Sequence, residues 1–416
     1  MNTLDVSNLD QNSQDWMSIR SSRTSGAFEH ASGEGLTSFI VTERHGKQVI
    51  LDDGKPYTEF ISCSYLGLES HPLLVEASYN ALNSIGIHLS ASRSAMSPVY
   101  LPQLEELLQD IYQGNSVTVF TSTSNAHLGV LPLLGSGHMD RYPTKPEVRW
   151  LVDRTAHASI QVLRGLLGQF GQVIRVDTND TEALSQTLQD CSHQKVTPIL
   201  LIDGVGSMSG LLPVKNLSEL MKKYDGYLYV DDAHGISISG KYGSGYAFEN
   251  LGHELPDNTI IAGSLSKAFG GAGGFIVLRK DYNNSQLKRL ANPLVFGHTI
   301  PVPLQAANVA AAKIHLSSEI DTLQSSLWKN INQLDNLVTD TLMNEQLKAP
   351  IRGAYFDSEQ QGLDAAKKLR ESGVIMFPVF YPIVETNKSM LRFAVSANHT
   401  TEQIVDLSEK LNHLKS

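Results

Sequence analysis

A segment near the middle of the chain places two carboxylates and a histidine at the end of an apolar run. It reads Tyr229-Val-Asp-Asp-Ala-His-Gly235, with His234 following Asp231 closely. A buried carboxylate can keep an adjacent aromatic ring nitrogen protonated, because an unpaired charge is costly in a low-dielectric interior. A pyridinium ring requires such a partner. Viewed alone, the motif also fits an aspartate that only caps the turn after a strand.

A lysine follows the next apolar run and is surrounded by small residues. The segment is Ser264-Leu-Ser-Lys267-Ala-Phe-Gly-Gly-Ala-Gly-Gly274. A lysine in an enclosed site loses proton affinity and becomes an amine nucleophile that can form a Schiff base with an aldehyde. The flanking hydroxyls and glycines favour this interpretation of Lys267 over that of a solvated loop lysine.

Two more polar segments follow apolar runs elsewhere in the chain. In Asp153-Arg-Thr-Ala-His157-Ala-Ser159, the histidine could stack on a planar ring or be a satisfied core residue. The segment Thr121-Ser-Thr-Ser-Asn125-Ala-His127 carries hydroxyl groups where a helix would begin. Hydroxyls and free N–H groups at a helix N-terminus bind phosphate, although the same residues can serve only as an N-cap.

The elements that must position these residues are short apolar runs separated by stretches of helical spacing. Their length and their Val and Ile content predict buried strands of a mainly parallel sheet. Ligand crevices form at the carboxyl ends of such strands, so we expect the four polar segments to meet there. The link before Gly274 is too short for a crossover helix, which predicts an antiparallel last strand. The predicted strands are Val117–Thr121, Trp150–Asp153, Ile199–Asp203, Leu228–Asp231, Thr259–Gly263 and Gly274–Leu278.

A change of pattern after Pro301 and Pro303 predicts a second domain. A long helical pattern follows, with Leu327, Ile331 and Leu334 among the apolar residues on one face. We predict an N-terminal segment over residues 1–60, a large domain over 61–300 and a C-terminal α+β domain over 301–416. The first 35 residues are polar and rich in serine, which is typical of a flexible arm and not of a signal peptide.

Composition narrows the class of protein. The chain has 416 residues, 41% hydrophobic and 18% charged, which excludes disordered and low-complexity classes. Lys and Arg total 33 against 43 for Asp and Glu, which argues against nucleic acid and anionic membranes as partners. Cys63 and Cys191 are too few for a disulfide framework, and no apolar stretch is long enough to span a bilayer. We therefore expect a cytoplasmic protein, and we predict no metal site because the histidines are scattered.

Together, these segments resemble the α-oxoamine synthases, pyridoxal 5'-phosphate (PLP) enzymes of fold type I. Each match is weak alone, but seven follow one another in the family's order. The resemblance implies a mainly parallel seven-stranded α/β sheet with helices on both faces and a smaller α+β C-terminal domain. The matching segments are Ser64-Tyr-Leu-Gly-Leu68 with His71-Pro72, Leu128-Gly-Val-Leu-Pro132, Asp153 to Ser159, Gly204-Val-Gly-Ser-Met208, Val230-Asp-Asp-Ala-His-Gly235, the lysine segment and Leu391-Arg-Phe-Ala-Val-Ser-Ala-Asn-His399.

The resemblance also implies roles toward the ring of PLP. Lys267 would bind the aldehyde and later remove the Cα proton of the substrate, and Asp231 would pair with the ring nitrogen. His157 would stack on the ring face. His234 would bond to the phenolic oxygen, with Ser207 close by.

Further roles concern the phosphate and the substrate. Arg392 would bind the amino-acid carboxylate as a two-pronged clamp, with Cys63 also in the substrate site. Such sites usually lie at a homodimer interface shared by both subunits. The expected phosphate ligands are Thr123, Ser124, Asn125 and Ser264, with His298 or Thr299 contributed by the partner subunit.

Departures from the family pattern bear on the substrate. Cys63 stands where most members have an asparagine that helps to hold the carboxylate, and Thr123-Ser124 replaces a Gly-Tyr or Gly-Phe pair. The segment His88-Leu-Ser-Ala-Ser-Arg93 replaces Gly-Ser-Gly-Gly-Ser-Arg. Three other features are similar to those of a branch of the family that makes long-chain quorum-sensing autoinducers from an acyl-CoA. They are the pair Asn125-Ala126, Asp203 in place of a glutamate, and Ser90-Ala-Ser92.

The implied activity is a PLP-dependent acyl transfer. An amino acid would condense with an acyl-CoA thioester, with loss of carbon dioxide, to give an α-aminoketone. An aminotransferase or lyase of the same fold remains an alternative because it shares Asp231 and Lys267. A nucleotide-binding protein is disfavoured because Gly270 to Gly274 precede a strand instead of opening a helix. A non-catalytic homologue is disfavoured because the lysine, the aspartate and the stacking histidine are all present.

Overall fold

The computed structural model describes residues 26–90, 92–381 and 383–414, which form two compact units. One unit is Leu66–Gln324, and the other joins the described residues up to Tyr65 to those from Ser325 onward. The expected flexible arm falls mostly on residues 1–25, outside the described residues, and 26–33 form helix α1. The division at residues 60/61 and 300/301 stays a prediction.

A seven-stranded sheet forms the centre of the larger unit. Two of its middle strands, Thr197–Asp203 and Thr259–Ser264, are buried along their whole length, as expected for a sheet covered by other elements. The six predicted strands are all present, with borders within two residues of the prediction. The strands are β4 (Ser116–Phe120), β5 (Val148–Asp153), β6 (Val173–Val176), β7 (Thr197–Asp203), β10 (Tyr227–Asp231), β11 (Thr259–Ser264) and β12 (Gly274–Leu278).

The strand order is β4-β12-β11-β10-β7-β5-β6. All neighbouring pairs are parallel except those of β12, which is antiparallel to both β11 and β4. The predicted antiparallel strand is therefore confirmed. As a consequence, the turn after β4 and the loop before β12 meet at the same edge as the carboxyl ends of β7, β10 and β11.

Helices of the larger unit connect and cover these strands. Helix α4 packs against β11 and β12, and its buried residues join the apolar core around Trp150. None of the helices within the described residues has both the length and the hydropathy needed to cross a bilayer. The helices are α2 (Pro72–Ser84), α3 (Tyr100–Ile111), α4 (Thr123–Gly135), α5 (Ala158–Gln161), α6 (Arg164–Leu167), α7 (Thr181–Gln194), α8 (Val214–Lys223), α9 (Tyr246–Asn250), α10 (Asn284–Leu290), α11 (Asn292–Phe296) and α12 (Val302–His315).

The smaller unit has an α+β composition. Its four-stranded sheet has the order β1-β2-β3-β14 and its three-stranded sheet the order β13-β16-β15. A buried arginine, Arg352 on β13, binds Asp335 of α13 through two hydrogen bonds of 2.8 and 2.7 Å. The elements are β1 (Val41–His45), β2 (Gln48–Leu51), β3 (Pro56–Glu59), β13 (Ile351–Phe356), β14 (Val374–Ile375), β15 (Phe377–Val379), β16 (Ser389–Ala394), α13 (Glu319–Leu337), which starts in the larger unit, α14 (Glu359–Glu371) and α15 (Thr401–His413). A short hairpin of β8 (Val205–Gly206) and β9 (Gly210–Leu211) belongs to the larger unit.

Candidate active site

Three parallel strands end side by side and present polar side chains at one edge. The register pairs Asp231 of β10 with Asp203 of β7 and with Ala262 of β11. Strand β11 then ends at Ser264, three residues before Lys267. The predicted crevice residues of these strands are thus neighbours in the larger unit.

Asp231 is a buried carboxylate with defined partners. Oδ2 lies 3.0 Å from Nε2 of His127, and Oδ1 accepts a hydrogen bond of 3.0 Å from the N–H of Ala233. Burial alone would raise the pKa of Asp231, but His127 and the positive charge of Lys267 outweigh it and lower that pKa to about 2. The side chain is therefore an anion at neutral pH, as a partner of a pyridinium must be.

The loop that carries Lys267 is fixed at both ends. The N–H of Leu265 donates to the carbonyl of Gly273 over 2.9 Å, and the N–H of Gly273 donates to Oγ of Ser266 over 2.9 Å. Asn308 of α12, which is fully buried, donates to the carbonyl of Ala272 over 2.8 Å and accepts from its N–H over 3.2 Å. Because the loop is held in this way, the position of the partly buried Lys267 is set by the sheet and by α12.

A helix N-terminus lies beside the lysine loop. Helix α4 is capped by Ser122, whose hydroxyl accepts from the N–H of Asn125 over 3.1 Å. The hydroxyl of Thr123 donates to the carbonyl of Gly263 on β11 over 3.1 Å. The turn approaches β12 closely, since a Cβ on Gly274 would lie 2.3 Å from the backbone nitrogen of Thr123. This arrangement presents the N–H groups of a helix start, with Ser124 exposed, next to the loop of Lys267.

His157 caps the short helix α5 and has an exposed ring. Its Nδ1 lies 2.7 Å from Oγ of Ser159, and its backbone N–H donates to Oδ1 of Asp203 over 3.0 Å. Burial raises the pKa of Asp203 well above its usual range, and the charge of Asp231 raises it further. Of the two aspartates, Asp203 is the one with the raised pKa, and its side chain fixes the backbone of the histidine predicted to stack on the ring.

The remaining predicted residues of the larger unit lie in several places. His234 is buried just after β10, and Ser207 lies in the turn of the β8-β9 hairpin. Ser264 is buried and accepts from the N–H of Ser266 over 3.1 Å. His298 is exposed in the segment between α11 and α12, followed by Thr299. The structure holds a single chain, so the role of these last two toward a partner stays a prediction.

The predicted substrate residues lie together in the smaller unit. The guanidinium of Arg392 lies 4.0 Å from the sulfur of Cys63. Tyr65 is buried beside both; burial raises its pKa well above the usual range, and the nearby Cys63 raises it further. Arg392 is on β16 and is only half-buried, so that its charged end can meet an anion. The smaller unit thus places a cationic fork beside a thiol.

Sequence reasoning missed His127 and Asn308. The quoted segment that ends at His127 contains the relevant signal, because His127 follows Thr123 by one helical turn and shares its face. Asn308 gives no comparable signal, since an asparagine within an Ala-rich helix does not reveal which loop it faces. Among the described residues, no three His, Cys, Asp or Glu side chains group so as to hold a metal ion.

The larger unit fits PLP. An anionic Asp231 suits a protonated ring nitrogen, and Lys267 supplies the amine that PLP requires. Because Gly274 has no side chain, the start of α4 can lie close to the sheet. The N–H groups at this helix start suit a phosphate. The further ring contacts assigned to His157 and His234 stay predictions.

Comparisons with known proteins agree with this fit. The family Aminotransferase class I and II matches residues 57–411. The 8-amino-7-oxononanoate synthase of Thermoanaerobacter pseudethanolicus is 30% identical in sequence, and the match covers 85% of this chain and 86% of the synthase. The serine palmitoyltransferase of Sphingobacterium spiritivorum is 28% identical over 92% of this chain and 93% of its own.

A solved structure shares the fold. It is a serine palmitoyltransferase variant from S. paucimobilis with a bound PLP-myriocin aldimine, and it superposes with a TM-score of 0.82 at 21% identity over 97% of each chain. The matched sequence family and this fold agree with the PLP-compatible strand edge described above. The chain therefore belongs to the aminotransferase class I and II family and is a PLP-dependent α-oxoamine synthase of fold type I, an acyltransferase.

Proposed function

We propose that this enzyme condenses an amino acid with an acyl-CoA thioester, releasing carbon dioxide and CoA, to form an α-aminoketone. The observation that carries the proposal is the strand edge where the anionic Asp231 and the loop of Lys267 meet beside the start of α4. Relatives that match over most of their length include 8-amino-7-oxononanoate synthases and serine palmitoyltransferases, which supports the same reaction class.

The roles follow from the chemistry of each side chain. Bound PLP withdraws electrons from the Cα of an attached amino acid. Asp231 would keep the ring nitrogen protonated, because its lowered pKa leaves the carboxylate charged at neutral pH. Lys267 accepts the Cα proton at Nζ, and His157 holds the ring in place from one face. Removal of this proton would prepare the Cα of the amino acid for bond formation to the thioester carbonyl.

The substrate carboxylate is assigned to Arg392. A guanidinium can bind a carboxylate through two parallel hydrogen bonds, which fixes orientation as well as charge. Cys63, 4.0 Å from that guanidinium, offers a weaker donor than the asparagine of most family members. We infer that the carboxylate depends more on Arg392 here than in those members.

The decisive experiment uses the purified protein loaded with PLP. Twenty amino acids are screened by the change in cofactor absorbance, and each hit is mixed with an acyl-CoA series while free thiol and carbon dioxide are measured. We expect release of one CoA and one carbon dioxide per condensation, and loss of both in Lys267→Ala. Amino-group transfer to a 2-oxo acid without thiol release would instead establish the aminotransferase alternative.

The acyl-CoA series also tests the branch of the family. We propose a long-chain product of the quorum-sensing autoinducer type, supported by Asn125-Ala126, Asp203 and Ser90-Ala-Ser92. Turnover should then rise with acyl length to medium and long chains. A preference for a dicarboxylic or a two-carbon acyl group would contradict this choice.

We place the reaction in the cytoplasm, because both cysteines are free thiols.

We further propose a homodimer with shared sites. Large apolar side chains of the larger unit are exposed in the single chain, and Phe296, with 78% of its surface exposed, is two residues from His298. If His298 serves the cofactor of the partner, mixed dimers of Lys267→Ala and His298→Ala should regain activity in one of their two sites. Absence of any regain, or a monomer by light scattering, would contradict the shared site. Other exposed apolar side chains of the larger unit include Tyr79, Ile87, Met96 and Val99.

A further inference from the structure

Three buried polar side chains form a hydrogen-bonded series that ends at Asp231. The hydroxyl of Tyr229 lies 2.8 Å from Nδ1 of His127, and Nε2 of His127 lies 3.0 Å from Oδ2 of Asp231. Tyr229 and His127 have no exposed surface, and Asp231 retains 4%. The two rings meet edge to face, with centroids 5.6 Å apart and planes at 68°. Such a series leaves the imidazole little freedom to rotate.

The backbone explains why these groups meet. Tyr229 and Asp231 are alternate residues of β10, so both side chains point to the same face of the sheet. His127 follows Thr123 by one turn of α4 and shares its side of the helix. The helix whose start is the proposed phosphate site therefore also delivers an imidazole to the proposed partner of the ring nitrogen.

The direction of the hydrogen bonds follows from the partners. A carboxylate has no hydrogen to donate, so the bond between His127 and Asp231 requires a hydrogen on Nε2. Burial raises the pKa of Tyr229 well above its usual range, and the charge of Asp231 raises it further, so the phenol keeps its hydrogen. The Tyr229 hydroxyl anchors the opposite ring nitrogen and holds the ring in the plane of that bond.

We propose that His127 is a positioning residue that orients the carboxylate of Asp231 and keeps it charged before PLP binds. The inference rests on the proposed placement of Asp231 at the ring nitrogen. It assigns His127 no contact with the reacting atoms. Its consequence is that the apoprotein already contains the oriented anion, so PLP binding does not require Asp231 to be reorganised.

A double-mutant cycle on the dissociation constant of PLP tests this role. The apoprotein is titrated with PLP for the wild type, His127→Phe, Asp231→Asn and the double variant. We expect His127→Phe to raise the dissociation constant at least about tenfold in the wild-type background, which corresponds to about 1.4 kcal/mol. In the Asp231→Asn background the same change should raise it less than about twofold, because His127 acts through that carboxylate.

Matched variants separate orientation from packing. His127→Gln keeps a hydrogen-bond donor and should restore part of the affinity, while Tyr229→Phe keeps the ring and should weaken PLP binding by a few-fold. Nitrogen NMR of the apoprotein should show a hydrogen on Nε2 of His127. If His127→Phe does not fold, Tyr229→Phe replaces it in the cycle with Asp231→Asn, with the same expected non-additivity.

Several results would overturn the proposal. An equal penalty for His127→Phe in both backgrounds would reduce the histidine to a packing role, and an apoprotein Nε2 without hydrogen would exclude its donation. An unchanged PLP affinity in Asp231→Asn would remove the placement on which the inference rests. Failure of thioester-dependent turnover is a separate outcome: it would end the proposed condensation, whereas the cycle in the apoprotein would still support His127.

Discussion

Replacement of Gly274 by alanine tests the phosphate site at the start of α4. A Cβ at this position would lie 2.3 Å from the backbone nitrogen of Thr123 and 2.6 Å from the carbonyl carbon of Ser122, whereas ordinary contacts begin at 3.4 Å. Because both neighbours are backbone atoms, the turn must move by about 1 Å, which is enough to weaken a positioned contact severely. Overpacking of this kind also costs about 1–3 kcal/mol of stability.

We expect Gly274→Ala to raise the dissociation constant of PLP about 10- to 100-fold, equivalent to about 1.4–2.7 kcal/mol. The assay is a titration of the apoprotein followed by cofactor absorbance, paired with chemical denaturation of the same samples. Denaturation measures the stability loss separately, so that the two effects are not confused.

Gly135→Ala is the matched control. It is the last residue of the same helix, about 18 Å along the axis from Thr123, and a Cβ there would lie 2.5 Å from the ring of Trp150. This variant should lose stability but retain the PLP affinity of the wild type. The reasoning is refuted if Gly274→Ala binds PLP within about twofold of the wild type, or if both variants weaken binding equally.

Three further predictions concern the substrate site, a buried ion pair and pH. Arg392→Lys should raise the KM for the amino acid at least about tenfold with a smaller change in kcat, because one ammonium cannot replace a two-pronged guanidinium. Cys63→Ala should change this KM by less than about threefold. Steady-state kinetics measure both values, and a larger effect on KM in Cys63→Ala than in Arg392→Lys would contradict the prediction. Asp335→Asn should lower the free energy of unfolding by about 3–5 kcal/mol, because it leaves the fully buried Arg352 without its anionic partner; a loss below about 1 kcal/mol in urea denaturation would contradict this. Burial lowers the pKa of His315 from 6.5 to about 4, so the unfolded chain takes up this proton first as the pH falls. His315 alone should therefore contribute a fall of about 3 kcal/mol in the unfolding free energy between pH 6.5 and 4, and the same measurement on His315→Gln should show a correspondingly shallower fall.

The sequence predicted the central sheet because most of its strands are continuous apolar runs. Strand β6 was not predicted, since Val173–Val176 lies at the sheet edge and contains the exposed Arg175. The helical pattern predicted after Pro301 is present, and the structure divides this region into two helices, Val302–His315 and Glu319–Leu337, separated by a short break. A break of this length is decided by tertiary packing, which local periodicity does not record.

The candidate site was predictable to the extent that its residues follow strands. Asp231 and Lys267 gave a signal because an ionisable residue after an apolar run must lie at a sheet edge. His127 and Asn308 act through partners more than 30 positions away, so their roles depend on contacts that no local pattern encodes. The same limit applies to Asp203, whose pKa is raised by burial and further by the charge of Asp231 on the neighbouring strand.

The hydrogen bonds between Asn308 and the lysine loop have a consequence for the proposed association of subunits. Helix α12 begins directly after the segment containing Phe296 and His298, and its Asn308 binds both the N–H and the carbonyl of Ala272. If the proposed homodimer forms through that segment, α12 would connect the subunit interface to the loop that carries Lys267. Cofactor retention and subunit association would then be gained or lost together upon dilution.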